Sequence, residues 1–180
     1  MPKLNWVFDW AETIVVALLL ALVIRAFFLQ VFWIPSESML PTLAINDRIV
    51  VNKVIYQFRA PNRFDVVVFR QIPEIGPGKK DLIKRLVAFS GEKFQIKNGV
   101  IYINDQPIKE THPLNEDFAN YGPITIPQDS YFVMGDNRPA SFDSRFWKDL
   151  DGNLKFLPKR NMIGQAFLVI WPLNKLGLIP

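Results

Sequence analysis

The first 34 residues differ from the rest of the chain in their pattern of hydrophobic and polar positions. Residues 13–24 carry no charged side chain, and the apolar segment extends from Trp6 to Arg25. These residues, about 20 in number at about 1.5 Å each, match the roughly 30 Å hydrocarbon core of a bilayer. The pattern predicts one transmembrane helix, with Trp6 and Trp10 at one membrane interface and Arg25 at the other.

The same segment has two alternative interpretations. A cleaved signal peptide has an apolar core of similar length, but here Asp9 and Glu12 precede the core and the chain stays apolar through residues 26–34. A helix buried in a protein core would show a polar face, which this segment lacks. We therefore expect residues 1–25 to form a short tail and a membrane anchor.

After residue 34 the periodicity changes from helical to strand-like. Short runs rich in Val, Ile and Phe predict strands at 48–53, 64–70, 82–89, 131–134 and 165–171. Residues 93–104 predict a hairpin that turns at Asn98-Gly99. No segment between 35 and 180 has the length and period of a helix. The predicted fold class is mainly β, with a single N-terminal transmembrane helix and a β-rich domain over residues 26–180 that carries a smaller β insertion around 92–126.

Charge excludes one broad class of partner. The formal net charge is +4, and because Lys3 and Arg25 balance Asp9 and Glu12, the excess lies beyond residue 34. The sequence has no long Lys/Arg block interleaved with aromatic residues, so nucleic acid is not an expected partner. A weakly basic domain fits better beside an anionic membrane surface.

Two residue types that carry much enzyme chemistry are scarce. The chain has no Cys, which excludes thiol nucleophiles, disulfides and thiolate metal sites. His112 is its one histidine, so a Ser-His-Asp triad would depend on it and a His-rich metal site is excluded. For a hydrolase we therefore expect a Lys or carboxylate base, with no metal and no cofactor.

Two polar loops are candidates for chemistry. Residues 34–43, Ile-Pro-Ser-Glu-Ser-Met-Leu-Pro-Thr-Leu, form a loop that its prolines stiffen. Residues 131–145 end a strand at Gly135 and continue with turn-forming Asp, Asn, Arg and Ser residues. Either segment alone is typical of an ordinary turn.

A third candidate is Lys84, in the strand predicted at 82–89. Side chains alternate between the faces of a strand, so Lys84 and Arg85 each lie on an otherwise apolar face, Lys84 with Leu82, Leu86 and Ala88 and Arg85 with Ile83, Val87 and Phe89. A lysine kept away from water loses part of its preference for the charged form, and its free amine can accept a proton. An edge strand whose cations reach solvent is the alternative.

Together these segments resemble the signature boxes of bacterial type I signal peptidases. The box Pro-Ser-x-Ser-Met-x-Pro-Thr-Leu is matched by residues 35–43, and the Asp-Arg-Ile/Val box with a nearby Lys by residues 47–53. The Lys-Arg box is matched by residues 84–85. Residues 135–145 match Gly-Asp-Asn-Arg-x-x-Ser-x-Asp-Ser-Arg at every specified position. The similarity continues in order to the apolar run at 167–173.

This resemblance implies a membrane-bound serine endopeptidase that removes signal peptides from exported preproteins at Ala-x-Ala-like sites. It implies Ser38 as nucleophile and Lys84 as general base. The backbone N–H of Ser38 and the hydroxyl of Ser36 would form the oxyanion hole, and Ser141 would hydrogen-bond the Lys84 amine and orient it. The other residues that it marks are structural ion pairs, Asp136 with Arg85 and Asp143 with Arg145.

The resemblance also implies a location and partners. The protein would cross the plasma (inner) membrane once, with residues 26–180 forming a signal-peptidase-like catalytic domain on the extracytoplasmic side, or in a thylakoid lumen where the organism has one. Its partners would be the signal peptides of preproteins and the lipid bilayer.

Three departures from the family pattern leave substrate preference open. Asn46 stands where Gly is frequent, Ser90 where Pro is frequent, and Pro139-Ala140 where Asp-Asn is familiar. The alternative function is a membrane-tethered binding module with an inactive peptidase-like site. A self-cleaving repressor also pairs Ser with Lys, but it would carry a DNA-binding domain in place of the apolar segment.

Overall fold

One long helix begins the chain in the computed structural model, which describes residues 3–76 and 80–180. Helix α1 (Lys3–Phe27) has 25 residues, and successive apolar side chains such as Leu18, Leu19 and Leu20 are 58–59% exposed. Within these two ranges, no helix has the combined length and apolarity that crossing a membrane requires. The side chain of Arg25, predicted at a membrane interface, lies outside the described part of the structure.

Twelve strands account for most of the regular structure described after α1. In chain order they are β1 (Leu29–Trp33), β2 (Arg48–Asn52), β3 (Val66–Arg70), β4 (Asp81–Ala88), β5 (Lys93–Lys97), β6 (Val100–Ile103), β7 (Gln106–Ile108), β8 (Tyr121–Thr125), β9 (Ser130–Met134), β10 (Leu157–Pro158), β11 (Met162–Trp171) and β12 (Gly177–Leu178). Eight form a large sheet in the order β1-β2-β11-β3-β4-β9-β10, with β12 paired to β11. The other four form a small sheet in the order β7-β6-β5-β8. The prediction of a mainly β fold is confirmed.

Three clusters of buried hydrophobic side chains hold these sheets together. One lies under the loop between β1 and β2 and includes Met39, which is fully buried. A second joins the large sheet to the small one, where the rings of Phe132 and Phe94 are 4.2 Å apart. The third centres on Trp147, whose ring lies 5.8 Å from that of Phe69. Each such side chain contributes roughly 1.5–3 kcal/mol by leaving water.

The predicted strands are present, with ends shifted by one to three residues. Strand β1 was not predicted, because residues 26–34 continue the apolar character of the helix. A second helix, α2 (Ile55–Phe58), corrects the prediction of a single helix. It has only 4 residues, too few to show a period. It begins where Asn52 Oδ1 accepts hydrogen bonds from the backbone N–H groups of Val54 and Ile55, both at 3.1 Å.

The small sheet occupies residues 93–125, within the region where a β insertion was predicted. Its first hairpin turns at Asn98 and Gly99, with φ angles of 48° and 81°. Positive φ at both central residues is what a two-residue hairpin turn requires. Strand β5 pairs with both β6 and β8, so it lies at the centre of this sheet.

The prediction that Ala88 and Val87 lie on opposite faces of β4 is wrong. The pairing of β4 with β9 contains a register shift between Leu86 and Ala88, and such a bulge breaks the alternation of side chains. Val87 and Ala88 therefore pack in the same cluster, around Phe132. Lys84 precedes the shift, and the pairing of its strand with β3 is regular there.

Gly164 tests how tightly β11 packs between its neighbours. A Cβ atom at Gly164 would lie 2.2 Å from the backbone oxygen of Asn52, which cannot move aside like a side chain. We expect Gly164→Ala to lower the free energy of unfolding by about 1–3 kcal/mol, measured by urea unfolding followed by tryptophan fluorescence. Gly177→Ala is the control, because the nearest atom to its Cβ is 3.9 Å away. Equal unfolding midpoints for the two variants would contradict this packing.

Candidate active site

Ser38 lies in the loop between β1 and β2, whose ends are closed by backbone hydrogen bonds. The N–H of Ile34 donates to the oxygen of Asp47 at 3.0 Å, and the N–H of Asn46 donates to the oxygen of Ile34 at 2.9 Å. Asn46 has a φ of 71°, a conformation that Asn tolerates better than most residues, so it can stand where the family often has Gly. Met39 is buried in the core beside Ser38 and leaves that serine only 7% exposed.

Lys84 reaches Ser38 from the middle of the large sheet. Its side chain is buried, and Nζ donates to Ser38 Oγ at 2.7 Å and to the backbone oxygen of Ile83 at 3.0 Å. Burial lowers the pKa of Lys84 to about 8, while the negative charges of Asp143 and Asp136 act in the opposite direction. The effect of burial is the larger one, so a substantial fraction of the amine is uncharged at mildly alkaline pH.

The ion pair of Arg85 with Asp136 is formed and is almost completely buried. Nε and Nη2 of Arg85 donate to the two carboxylate oxygens at 2.8 and 2.6 Å. Its Nη1 donates to the backbone oxygens of Phe64 and Pro180 at 2.8 and 2.7 Å. Thr42 Oγ1 also donates to Asp136. Every guanidinium nitrogen of Arg85 therefore has an acceptor, and the structural role expected of this pair remains a prediction.

The second ion pair closes the turn at residues 135–145. Nε and Nη2 of Arg145 donate to Asp143 at 2.8 and 2.9 Å, and Nη1 donates to Asp117 at 2.7 Å. Asp143 Oδ2 also accepts from the N–H of Gly135 at 3.0 Å. One carboxylate therefore links the first and last residues of this turn.

Ser36 and Ser141 differ in their relation to the Ser38–Lys84 pair. Ser36 Oγ lies 3.4 Å from Ser38 Oγ. Ser141 is buried, and in the described structure its Oγ has no hydrogen-bond partner. The predicted hydrogen bond to Lys84 is thus not formed, because Nζ is directed at Ser38 and at a backbone oxygen. Ser141 still borders the site, since a Cβ on Gly135 would lie 2.3 Å from both Ser141 Oγ and the Ser38 oxygen. Its orienting role remains a prediction.

Sequence reasoning missed several polar residues around the site. Asn137 Nδ2 donates to the backbone oxygen of Glu37 at 3.1 Å. Its place in the Gly-Asp-Asn-Arg box was the one sequence feature that could have pointed to it. His112 is buried, with Nε2 3.3 Å from Glu110 Oε1 and 3.8 Å from Asp136 Oδ1. Nothing in the sequence around His112 indicated this placement.

The chemistry that the geometry allows is nucleophilic attack by a serine. An uncharged amine in contact with a hydroxyl can take its proton and make the oxygen a nucleophile. Among residues 3–76 and 80–180, no group of three His, Asp or Glu side chains is arranged to hold a metal ion. A serine hydroxyl in contact with a buried lysine amine is the arrangement expected of serine hydrolases in which Lys replaces the usual His and Asp.

Comparison with known proteins assigns the family within that class. The family model for signal peptidase, peptidase S26, matches residues 7–171. A signal peptidase I from Leptolyngbya laminosa is 40% identical over 170 residues, covering 92% of this chain and 80% of that protein. A probable signal peptidase I-2 from Synechocystis is 34% identical over 180 residues, covering 99% of this chain and 79% of that protein. The chain belongs to the signal peptidase family, peptidase S26, and is a serine-type signal peptidase.

A solved structure also shows similarity. The crystal structure of a signal peptidase I from Enterococcus faecalis has a TM-score of 0.45 and 25% sequence identity, covering 59% of this chain and 97% of that one.

The buried amine of Lys84 should reduce stability at neutral pH. The folded chain lowers its pKa to about 8, so between that pH and the pKa of unfolded lysine, about 10.4, the unfolded chain binds more protons and stability rises with pH. The cost at pH 7 is roughly 3 kcal/mol. We expect Lys84→Met to raise the free energy of unfolding at neutral pH by this amount, less about 1 kcal/mol for each of the two hydrogen bonds that it removes.

The stability gained by Lys84→Met should shrink as the pH rises from the pKa of Lys84 in the folded chain, about 8, to that of unfolded lysine, about 10.4. Denaturant unfolding of the wild type and Lys84→Met at neutral and strongly alkaline pH measures the difference. Lys97→Met, at an exposed lysine of the small sheet, is the control and should show no such pH dependence. A Lys84→Met protein that is less stable than the wild type at every pH would contradict the expectation.

Proposed function

We propose that this signal peptidase cuts signal peptides from exported preproteins with Ser38 as nucleophile and Lys84 as general base. The observation that carries the proposal is the 2.7 Å contact between Lys84 Nζ and Ser38 Oγ, where both side chains are buried. An intact, hydrogen-bonded pair of this kind favours an enzyme over a binding module with an inactive site.

The reaction follows from this contact in two steps. Uncharged Lys84 accepts the hydroxyl proton as Ser38 Oγ bonds to the scissile carbonyl carbon. The protonated amine then donates to the departing nitrogen, which leaves an acyl-enzyme. In the second step Lys84 takes a proton from water, the water oxygen bonds to the acyl carbon, and the proton returns to Ser38 as the ester breaks. At pH 7 a pKa of about 8 leaves roughly a tenth of the amine uncharged.

The oxyanion formed in each step needs hydrogen-bond donors. The backbone N–H of Ser38 and the hydroxyl of Ser36 fill this role, and support comes from the 3.4 Å separation of the two serine Oγ atoms. Loss of one such donor typically lowers turnover by about 10²–10³-fold. Specificity for small residues at the first and third positions before the cut, as in Ala-x-Ala, follows from pockets that exclude larger side chains.

Cleavage of a preprotein tests the activity and the catalytic pair together. Purified protein in detergent and lipid should cut after the second Ala of an Ala-x-Ala site, with a rate that rises with pH around about 8. Ser38→Ala and Lys84→Ala should each lower kcat at least about 10³-fold. Mass spectrometry of the product gives its new N-terminus.

Ser90→Ala and Lys97→Ala are the controls. They make the same types of substitution at residues other than Ser38 and Lys84, and both variants should remain active. Cleavage by Ser38→Ala would reject the nucleophile. No cleavage of several preproteins by folded wild-type protein would instead favour the binding-module alternative.

The location proposed for this activity is a membrane, with α1 as a single-pass anchor. Support comes from the exposed apolar side chains around α1, including Val16, Leu19 and Leu22 at 57–60%, and from exposed Trp6 and Trp10 near its start. Such a surface is unfavourable in water and favourable in lipid. The catalytic domain then faces the extracytoplasmic side of the plasma membrane, or a thylakoid lumen.

Membrane attachment through α1 can be tested with charged substitutions. An Arg near the centre of a membrane helix costs about 2.5–3.5 kcal/mol on insertion scales, so Leu18→Arg combined with Leu22→Arg should move much of the protein to the supernatant on alkaline carbonate extraction. Leu150→Arg introduces Arg at a fully exposed position of the domain and should leave the protein in the pellet. Complete extraction of the wild type would contradict the anchor.

A further inference from the structure

A loop of the small sheet makes repeated contact with the catalytic turn. This loop lies between β7 and β8, and its residues 110–117 approach residues 136–145 and the loop that holds Ser38. The contacts are the ion pairs of Glu110 with Arg138 and of Asp117 with Arg145, and the pairing of Asn115 with residues 136–138. None of residues 110–117 belongs to a signature box.

Asn115 joins this loop to Asn137, which in turn contacts the loop that holds Ser38. It forms a parallel bridge with Asn137, in which its N–H donates to the oxygen of Asp136 at 2.9 Å and its oxygen accepts from the N–H of Arg138 at 3.1 Å. Its side-chain Nδ2 donates to Asn137 Oδ1 at 3.3 Å. Because Asn137 Oδ1 accepts this hydrogen bond, the orientation of the Asn137 amide is fixed and its Nδ2 points the other way as a donor.

The side-chain NH2 group of Asn137 points at the peptide group between Glu37 and Ser38. Asn137 Nδ2 donates to the Glu37 oxygen at 3.1 Å, and its backbone N–H donates to the Ser38 oxygen at 3.1 Å. Asn137 is itself buried, so water does not readily replace these bonds. Asn137 thus donates to two successive carbonyl groups of the nucleophile loop, and the N–H of Leu40 also donates to the Glu37 oxygen, at 3.0 Å.

The first of these carbonyls belongs to the same peptide unit as the Ser38 N–H. A trans peptide unit is planar, with its C=O and N–H pointing in opposite directions. Fixing the Glu37 oxygen therefore fixes the direction of the Ser38 N–H, and a hydrogen bond to the oxygen also polarises that N–H. An oxyanion donor is effective only when it is aimed in advance at the developing charge.

We propose that Asn137, oriented by Asn115, is a positioning residue that aims the backbone N–H of Ser38 at the oxyanion. This inference rests on the proposed catalytic function, and it gives residues 110–117 of the small sheet a part in catalysis without any contact with substrate. The effect is confined to the transition state, because only there does negative charge develop on the scissile oxygen.

The test is steady-state cleavage of an Ala-x-Ala preprotein by the full chain in detergent and lipid. Asn137→Ala should lower kcat about 10- to 100-fold, less than or similar to the loss of a whole oxyanion donor. Asn115→Ala should lower kcat about 3- to 10-fold. KM should stay within about twofold for both, because an interaction made only in the transition state changes kcat and not ground-state binding.

The double variant distinguishes a relay from two independent effects. If Asn115 acts through Asn137, its substitution should cost little more once Asn137 is Ala, whereas independent sites would add. Asn120→Ala is the matched control, because it makes the same substitution at a residue whose Oδ1 accepts from the Asn98 N–H, at the first hairpin of the same sheet. It should keep the wild-type kcat even if it lowers the Tm.

Amide hydrogen exchange of residues 36–40, read by mass spectrometry, gives a second measure that does not depend on cleavage. Both variants should speed exchange in this segment while the Tm changes by no more than in Asn120→Ala. Unchanged kcat and exchange in both variants, or additive losses in the double variant, would overturn the inference. A wild type that does not cleave would reject the proposed function, and the exchange result alone would then decide whether Asn115 and Asn137 hold the Ser38 loop.

Discussion

The structure depends above all on keeping the amine of Lys84 away from water while one hydroxyl remains in contact with it. Asp136 and Asp143 lie near enough to oppose the lowered pKa of this amine. Each carboxylate is committed to a guanidinium, that of Arg85 or of Arg145. Because a carboxylate paired in this way presents little net charge to its surroundings, the effect of burial dominates. The two ion pairs therefore affect the pKa of Lys84, although neither involves the hydroxyl of Ser38.

Buried ion pairs are weak contributors to stability, since desolvation offsets most of their attraction. The folding free energy must come from the apolar clusters on either side of them. Strand β4 runs between β3 and β9 in the large sheet, so Lys84 and Arg85 project from a strand that is hydrogen-bonded on both edges. The loop after β1 and the turn after β9 then meet over the end of these side chains. Hydrophobic packing thus sets the positions of the charged groups.

The sequence predicted the strands and marked Ser38 and Lys84 as candidates, because both leave local signals. Runs of Val, Ile and Phe mark the strands, and Ser38 and Lys84 lie in boxes that resemble a known family. The faces of β4 could not be predicted throughout, because the bulge before Ala88 arises from pairing with β9, which is remote in sequence. Nor does the sequence show whether Ser141 bonds to Lys84, since that depends on where Nζ points. Such features are set by tertiary contacts.

Asn115 illustrates a deeper limit of sequence patterns. The oxyanion donor proposed at Ser38 is a backbone N–H, which every residue except Pro possesses, so no residue type at position 38 encodes its direction. That direction depends on what holds the carbonyl of Glu37, which here accepts from the N–H of Leu40 and from the side chain of Asn137, and Asn137 is itself contacted by Asn115 of the loop between β7 and β8. A loop that carries a nucleophile must stay open to substrate on one side, so it can be fixed only from the other. The small sheet supplies that second side, which is a physical reason for an insertion between the general base and the catalytic turn.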